Sequence, residues 1–288
     1  MPTSESQSVT AEDQIIDLDD LELRIDELRH RYLAGTPFPH IVLDDVVRPE
    51  AISAIYAELD AMPNDGWNSY LHFNERKYSN TDIDAWGPTL RAVADIFASE
   101  RFTSWLSALT GFADLQADRS LDGGGLHRCY RNGFLNVHSD FTAHHQVANW
   151  RRRINLLLYL NAEWQADWGG ELELWSADMT RCEATVAPVG NRMLLFNTDQ
   201  TSFHGHPEPL CFPESIARQS LALYYFSEEI DPITHSTDYR ARPEDGIRRF
   251  AIYLDKKALA AYDVVKRRFK LSDSAINRLL RPFSRRDP

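Results

Sequence analysis

Two histidines and an aspartate in the second half of the sequence carry the donor types of a single metal site. His138 and Asp140 are separated by one residue at the end of the segment GFLNVHSDF. In an extended chain, residues two apart project to the same face, so both donors can reach one ion. The spacing alone is a weak signal. Ten histidines and 43 acidic residues in 288 positions yield about one or two His-x-acid pairs by composition, and a second pair exists at His206-Pro207-Glu208. The two differ in their approach. GFLNVHSDF leaves a glycine and runs on as a strand, whereas Pro207 removes a ladder donor and suits a loop. His138 and Asp140 are therefore the expected metal pair. His204, which follows the apolar strand MLLF and lies 64 residues beyond Asp140, is the expected third ligand. Two neutral imidazoles and one carboxylate leave positions open on a six-coordinate ion and suit non-haem Fe(II). A zinc hydrolase can use the same ligand types.

A cosubstrate anchor would separate these chemistries. Arg218 is a lone cation at the head of the apolar strand QSLALYYF, 14 residues after His204. A core-facing charge there is costly unless an anion pairs with it, and a guanidinium can bind a carboxylate through two parallel hydrogen bonds.

The elements that must position these residues follow from periodicity. Leu21, Ile25, Leu28 and Tyr32 fall at helical spacing, and Gly35, Pro37 and Pro39 end that helix. His40 to Leu43 reads as a strand, and Pro49 opens a helix with Ile52, Ile55, Tyr56 and Leu59 on one face. Further helices are expected at about 86–98 and 101–109. From Gly123 the chain turns to short strands broken by Gly, Pro, Asn and Asp: Phe134 to His138, Ile154 to Leu160, Glu171 to Trp175, Met193 to Phe196 and Ser220 to Phe226. Helices first and strands later give an α+β, mainly β chain, and a double-stranded β-helix (jelly roll) core buttressed by N-terminal helices satisfies the pattern. The expected division is a disordered stretch at 1–14, a catalytic domain at 15–229 and a basic helical C-terminal extension at 230–288. In that extension, Leu259, Tyr262, Val265 and Phe269 share a face, and a second short helix runs from Ser274 to Leu280.

Charge excludes one class of function. The formal net charge is -12, and from Arg240 onward 14 Lys/Arg face 6 Asp/Glu, so the acidity lies in the rest of the chain. Such a body is not a nucleic-acid surface, and the basic tail is expected to dock internally or in a homodimer. Cys129, Cys182 and Cys211 have no paired-ligand spacing, no apolar run approaches the ~20 residues that span a bilayer, and no targeting segment is visible, so a cytoplasmic protein is expected.

The ordered segments GFLNVHSDF, RRINLLLYLN with WGGELELW, RMLLFNTDQTSFHGH and RQSLALYYF resemble the prolyl 4-hydroxylase-like branch of the Fe(II)/2-oxoglutarate dioxygenases over about residues 37 to 227. The resemblance implies His138, Asp140 and His204 as the metal triad and Arg218 as partner of the distal carboxylate of 2-oxoglutarate. It also implies Tyr159 as a hydroxyl donor to that carboxylate, with Tyr130 beside the cosubstrate. Asn155 shares the inward parity of Tyr159 and is expected to line the same pocket. The implied chemistry is hydroxylation of an unactivated carbon in a peptidyl, amino-acid-like or biosynthetic substrate. Fe(II) is the metal, 2-oxoglutarate and O2 are cosubstrates, ascorbate is an accessory reductant, and succinate and CO2 are released. Related halogenases replace the carboxylate of the triad with a small residue, so Asp140 points to hydroxylation. The rival from another class is a cupin-like metal protein or isomerase without oxygenase turnover, which needs no anchor at Arg218. His127, His144 and His145 are candidate substrate contacts, Tyr224 a candidate pocket wall, and Gly123-Gly124-Gly125 a turn rather than a phosphate cradle.

Overall fold

Strands that are apolar on both faces dominate the middle of the chain, and one face of each packs on helices while the other lines a barrel. The computed structural model describes residues 12–257. In chain order its strands are β1 His40–Leu43, β2 Asn68–Leu71, β3 Glu75–Asn80, β4 Gln116–Ala117, β5 Gly125–Cys129, β6 Phe134–Ser139, β7 Trp150–Tyr159, β8 Leu172–Trp175, β9 Cys182–Val186, β10 Met193–Asn197, β11 Phe203–His206, β12 Arg218–Glu228 and β13 Asp238–Tyr239. The helices are α1 Leu18–Leu23, α2 Ile25–Leu33, α3 Pro49–Ala61, α4 Pro88–Phe97 and α5 Glu100–Thr110. A sixth helix, α6, covers residues 248–257.

The strands pair antiparallel in the order β1-β10-β7-β12-β5-β3-β6-β11-β8-β9. The hinge of this arrangement is β3. Its residues Tyr78, Ser79 and Asn80 pair with β5, and Glu75 and Arg76 pair with β6. This six-residue strand thereby joins a main sheet to a second sheet folded over it, giving the expected jelly roll. On β7, Ile154, Leu156 and Leu158 join the helix-packed core, whereas Tyr159 belongs to the interior cluster with Leu194 and Phe196 of β10. On β12, Leu221, Leu223 and Tyr225 face the helices, which leaves Arg218, Ser220, Ala222 and Tyr224 for the interior.

The helices that cover the main sheet begin and end where side-chain chemistry dictates. Pro49 and Pro88 occupy the first turns of α3 and α4, where a missing N–H costs nothing. Ser99 caps α5 by accepting from Phe102 N, and Gly111 closes it in the left-handed conformation. Leu28, Ile55, Val93, Phe97, Phe102 and Leu106 then bury against the outer face of β7 and β12.

The chain after residue 230 does more than extend as helix. β13 pairs with β6, with Asp238 opposite Ser139 and Tyr239 opposite His138. Beyond it, α6 buries Ile252 and docks through Asp255, which accepts from Asn74 Nδ2 at 2.7 Å and meets His72 Nδ1 at 2.8 Å. The helices expected around Leu259 to Phe269 and Ser274 to Leu280, and most of the stretch 1–14, lie outside the described residues. Among the described residues no helix is long and apolar enough to cross a membrane.

Candidate active site

His138 and His204 stand directly opposite one another in the β6–β11 ladder, with ring centroids 4.6 Å apart. The register slips by one residue between His204 and His206, so that Leu135 and His138 of β6 share a face with both histidines of β11. Gly205 makes this possible, because a Cβ there would sit 2.7 Å from Leu135 O and 2.9 Å from the Val137 backbone. Asp140 follows β6 and completes the cluster. Its carboxylate lies 3.5 Å from His138 Nε2 through Oδ1 and 3.5 Å from His204 Nε2 through Oδ2. One donor atom from each of the three buried residues lies within 4.8 Å of the others, so one ion can be shared among them.

The remaining ring nitrogens fix the tautomers. His138 Nδ1 donates to Asn136 O at 2.9 Å, and His204 Nδ1 donates to Ser202 O at 3.0 Å. Each Nε2 therefore keeps its lone pair, as a metal-ligating histidine requires. Burial, opposed by Asp140 and aided by His138, pulls His204 down to about 4, so it is neutral at physiological pH. Burial would raise Asp140, but Arg152 and the two histidines outweigh it and hold the carboxyl well below its usual range.

Arg152 was invisible to the sequence reading. Its side chain is only 1% exposed, Nη2 donates to Asp140 Oδ2 at 3.1 Å, and Nε donates to Asn155 Oδ1 at 2.7 Å. The guanidinium lies over the Tyr224 ring at 3.3 Å and the Phe141 ring at 4.6 Å. Asn155 donates its own Nδ2 to Asp140 Oδ2 at 2.7 Å and accepts from Thr198 Oγ1 at 2.9 Å. The structure thus sets Asn155 on the carboxylate of the triad rather than along the wall where Tyr159 stands.

Further along the interior, Arg218 and Tyr159 supply an unspent cation and hydroxyl. Arg218 is 5% exposed, its guanidinium centre lies 5.1 Å from the Tyr159 ring centroid, and Nε donates to Gly170 O at 2.9 Å. Gly170 has φ of +84°, and a Cβ would meet Leu210 Cδ2 at 2.6 Å and Arg218 Cδ at 3.2 Å, which explains the glycine in WGGELELW. Arg218 Nη2 and Tyr159 Oη are both buried without a hydrogen-bond partner among the described residues. A buried guanidinium N–H and a buried hydroxyl, both unmatched, fit a carboxylate ligand.

The other candidates fall elsewhere. Tyr130 follows the end of β5 and packs edge-on against Tyr78 at 5.6 Å. His144 faces Asp118 Oδ1 at 3.3 Å through Nε2, and His145 faces Asp122 Oδ2 at 2.5 Å through Nδ1; neither joins the triad. His127 stands across from Ser220 of β12 on the interior side, and burial with Lys77 and Arg218 lowers it to about 3.

Residues 124–226 match the family model of the 2OG-Fe(II) oxygenase superfamily. Over this segment, which is a little over a third of its length, the chain is similar to that superfamily. Its members are 2-oxoglutarate-dependent oxygenases that use Fe(II), and the chain is an enzyme of that class. The fold is that of the prolyl hydroxylases. A prolyl hydroxylase from Trichoplax adhaerens, solved with a hypoxia-inducible-factor peptide, superposes with a TM-score of 0.55 over 73% of this chain and 92% of its own, at 14% identity. A prolyl 4-hydroxylase from Phytophthora capsici superposes with a TM-score of 0.50 over 98% of this chain and 93% of its own, at 18% identity. No curated protein matches the sequence significantly.

Proposed function

We propose that this oxygenase hydroxylates an unactivated carbon of an amino-acid-like, peptidyl or biosynthetic substrate, consuming O2 and 2-oxoglutarate and releasing succinate and CO2. The observation that carries the reading is the two-ended interior. At one end, His138 and His204 present Nε2 lone pairs beside the Asp140 carboxylate; at the other, Arg218 Nη2 and Tyr159 Oη are unmatched. A jelly-roll metal protein without oxygenase turnover has no use for the second end.

In this reading His138, Asp140 and His204 hold Fe(II), which, with the keto acid and O2 bound, supplies the oxidising power for C–H hydroxylation. Arg218 and Tyr159 orient the keto acid by its distal carboxylate. Arg152 and Asn155 fix the carboxylate of Asp140, and by keeping it ionised they preserve its charge as a ligand. Phe196, whose ring lies 4.7 Å from that of His204, keeps water from one side of the pair. The retained carboxylate of Asp140 favours hydroxylation over halogenation.

The test is aerobic turnover with Fe(II), 2-oxoglutarate and ascorbate against panels of amino acids, peptides and metabolites, followed by mass spectrometry. The expected result is iron-dependent succinate release, with a product that has gained one oxygen atom. Succinate no higher than that of His204→Ala across every panel would overturn the proposal.

A further inference from the structure

We infer that His206 is a third donor to the distal carboxylate of 2-oxoglutarate, beside Arg218 and Tyr159, and that Cys129 sets which of its nitrogens carries the proton. The inference rests on the oxygenase reading and adds a residue to its anchor.

His206 follows His204 by two residues on β11, so both imidazoles face the interior, about 7 Å apart along the strand. That step leads away from the metal end. Cys129 of β5 stands directly opposite Arg218 of β12, hence on the same face, and its Sγ lies 3.9 Å from His206 Nε2. The contact crosses the barrel from the main sheet to the second, and it places His206 at the level of Arg218. Burial pushes the Cys129 thiol up to about 11, so the S–H is intact and can donate to Nε2. A neutral imidazole that accepts at Nε2 carries its hydrogen on Nδ1.

That Nδ1 is buried without a partner among the described residues, as are Arg218 Nη2 and Tyr159 Oη. Three unmatched donors in one chamber call for an acceptor with several lone pairs, and a carboxylate offers about four sites. Arg218 Nε is already spent on Gly170 O at 2.9 Å, so the fork through Nε and Nη2 is closed and Arg218 meets the carboxylate through its Nη atoms. The lone pairs that Arg218 leaves open on the carboxylate are then available to Tyr159 and His206.

The experiment is isothermal titration of the zinc-loaded full chain with 2-oxoglutarate and with 2-oxovalerate, a keto acid that chelates metal but lacks the distal carboxylate. Wild type is expected to prefer 2-oxoglutarate. His206→Leu, or His206→Val if the leucine variant does not fold, is expected to lower that preference about tenfold, which is about 1.4 kcal/mol, with 2-oxovalerate binding unchanged. His206→Gln, which keeps an N–H donor, is expected to retain the preference within about threefold, and Cys129→Ala to lose about threefold. A preference unchanged within twofold in the leucine or valine variant overturns the inference and leaves the oxygenase reading standing. Equal weakening of both keto acids also overturns it, since that marks a packing role. A wild-type protein that binds neither keto acid defeats the oxygenase reading itself.

Discussion

His138 and His144 are six residues apart and both buried, yet the backbone gives them opposite tautomers. In the strand pair β6–β11, His138 Nδ1 donates to a carbonyl two residues back, and Nε2 is left with a lone pair facing Asp140. In the loop that follows, His144 Nδ1 accepts from the backbone N–H groups of Gln146 and Val147 at 3.0 and 3.1 Å, so its proton is on Nε2 and points at Asp118. Both regions pair a histidine with a buried carboxylate. Only the first leaves a nitrogen with electrons to give, and the partner of the second ring nitrogen decides this.

The largest effect should separate the two regions outright. His138→Ala and His204→Ala are each expected to weaken Fe(II) or Co(II) affinity at least about a hundredfold, while His144→Ala binds metal within about threefold of wild type. Metal loss in His144→Ala during a Co(II) titration would erase the distinction. Next, Arg218→Ala should cost about a hundredfold in 2-oxoglutarate affinity with metal affinity unchanged, because it removes the cation from a buried charge pair. Calorimetry on the metal-loaded protein reads this, and an unchanged affinity would move the anchor elsewhere. Asn155→Ala should lower metal affinity about tenfold, since it frees one side of Asp140. His144→Ala should act on stability instead, lowering it by about 1–2 kcal/mol and the melting temperature by a few degrees, because the amide donors of Gln146 and Val147 lose their acceptor.

The smallest effect concerns the segment that backs β6. His72 bridges Glu75 and Asp255 at 2.8 Å each, and although burial works against its charge, these carboxylates raise its pKa above the usual histidine value. A histidine raised on folding stabilises fully below its unfolded value near 6.5, and that stabilisation fades as pH rises through the higher folded value. Limited proteolysis within α6 should therefore quicken a few-fold between pH 6 and about 8.5. A rate independent of pH, or one that falls, would contradict the role of His72.

Much of this site was legible in the sequence because strand parity and ordered spacing survive folding. His138, Asp140 and His204 meet as a period of two predicts, and Arg218 and Tyr159 both turn inward. What escaped was whatever depends on a broken register. Counting back by twos from Asn155 selects Arg153 as the inward arginine. The β7–β12 ladder slips between Tyr225 and Phe226, leaving Arg153 as the extra residue, so Arg152 points in while Arg151 and Arg153 reach Glu229 on the surface. β3 has polar, unpatterned residues, ERKYSN, and so gave no strand signal, although it joins the two sheets. β13 was hidden in a segment whose basic composition suggested only helix.

The most direct test is anaerobic addition of Fe(II) and then 2-oxoglutarate to the full chain, read by visible absorption. A weak charge-transfer band is expected in wild type and in His144→Ala, and none in His204→Ala. A folded wild-type protein with no band, or a His204→Ala variant that retains it, would contradict the assignment of His138, Asp140 and His204 as the iron site.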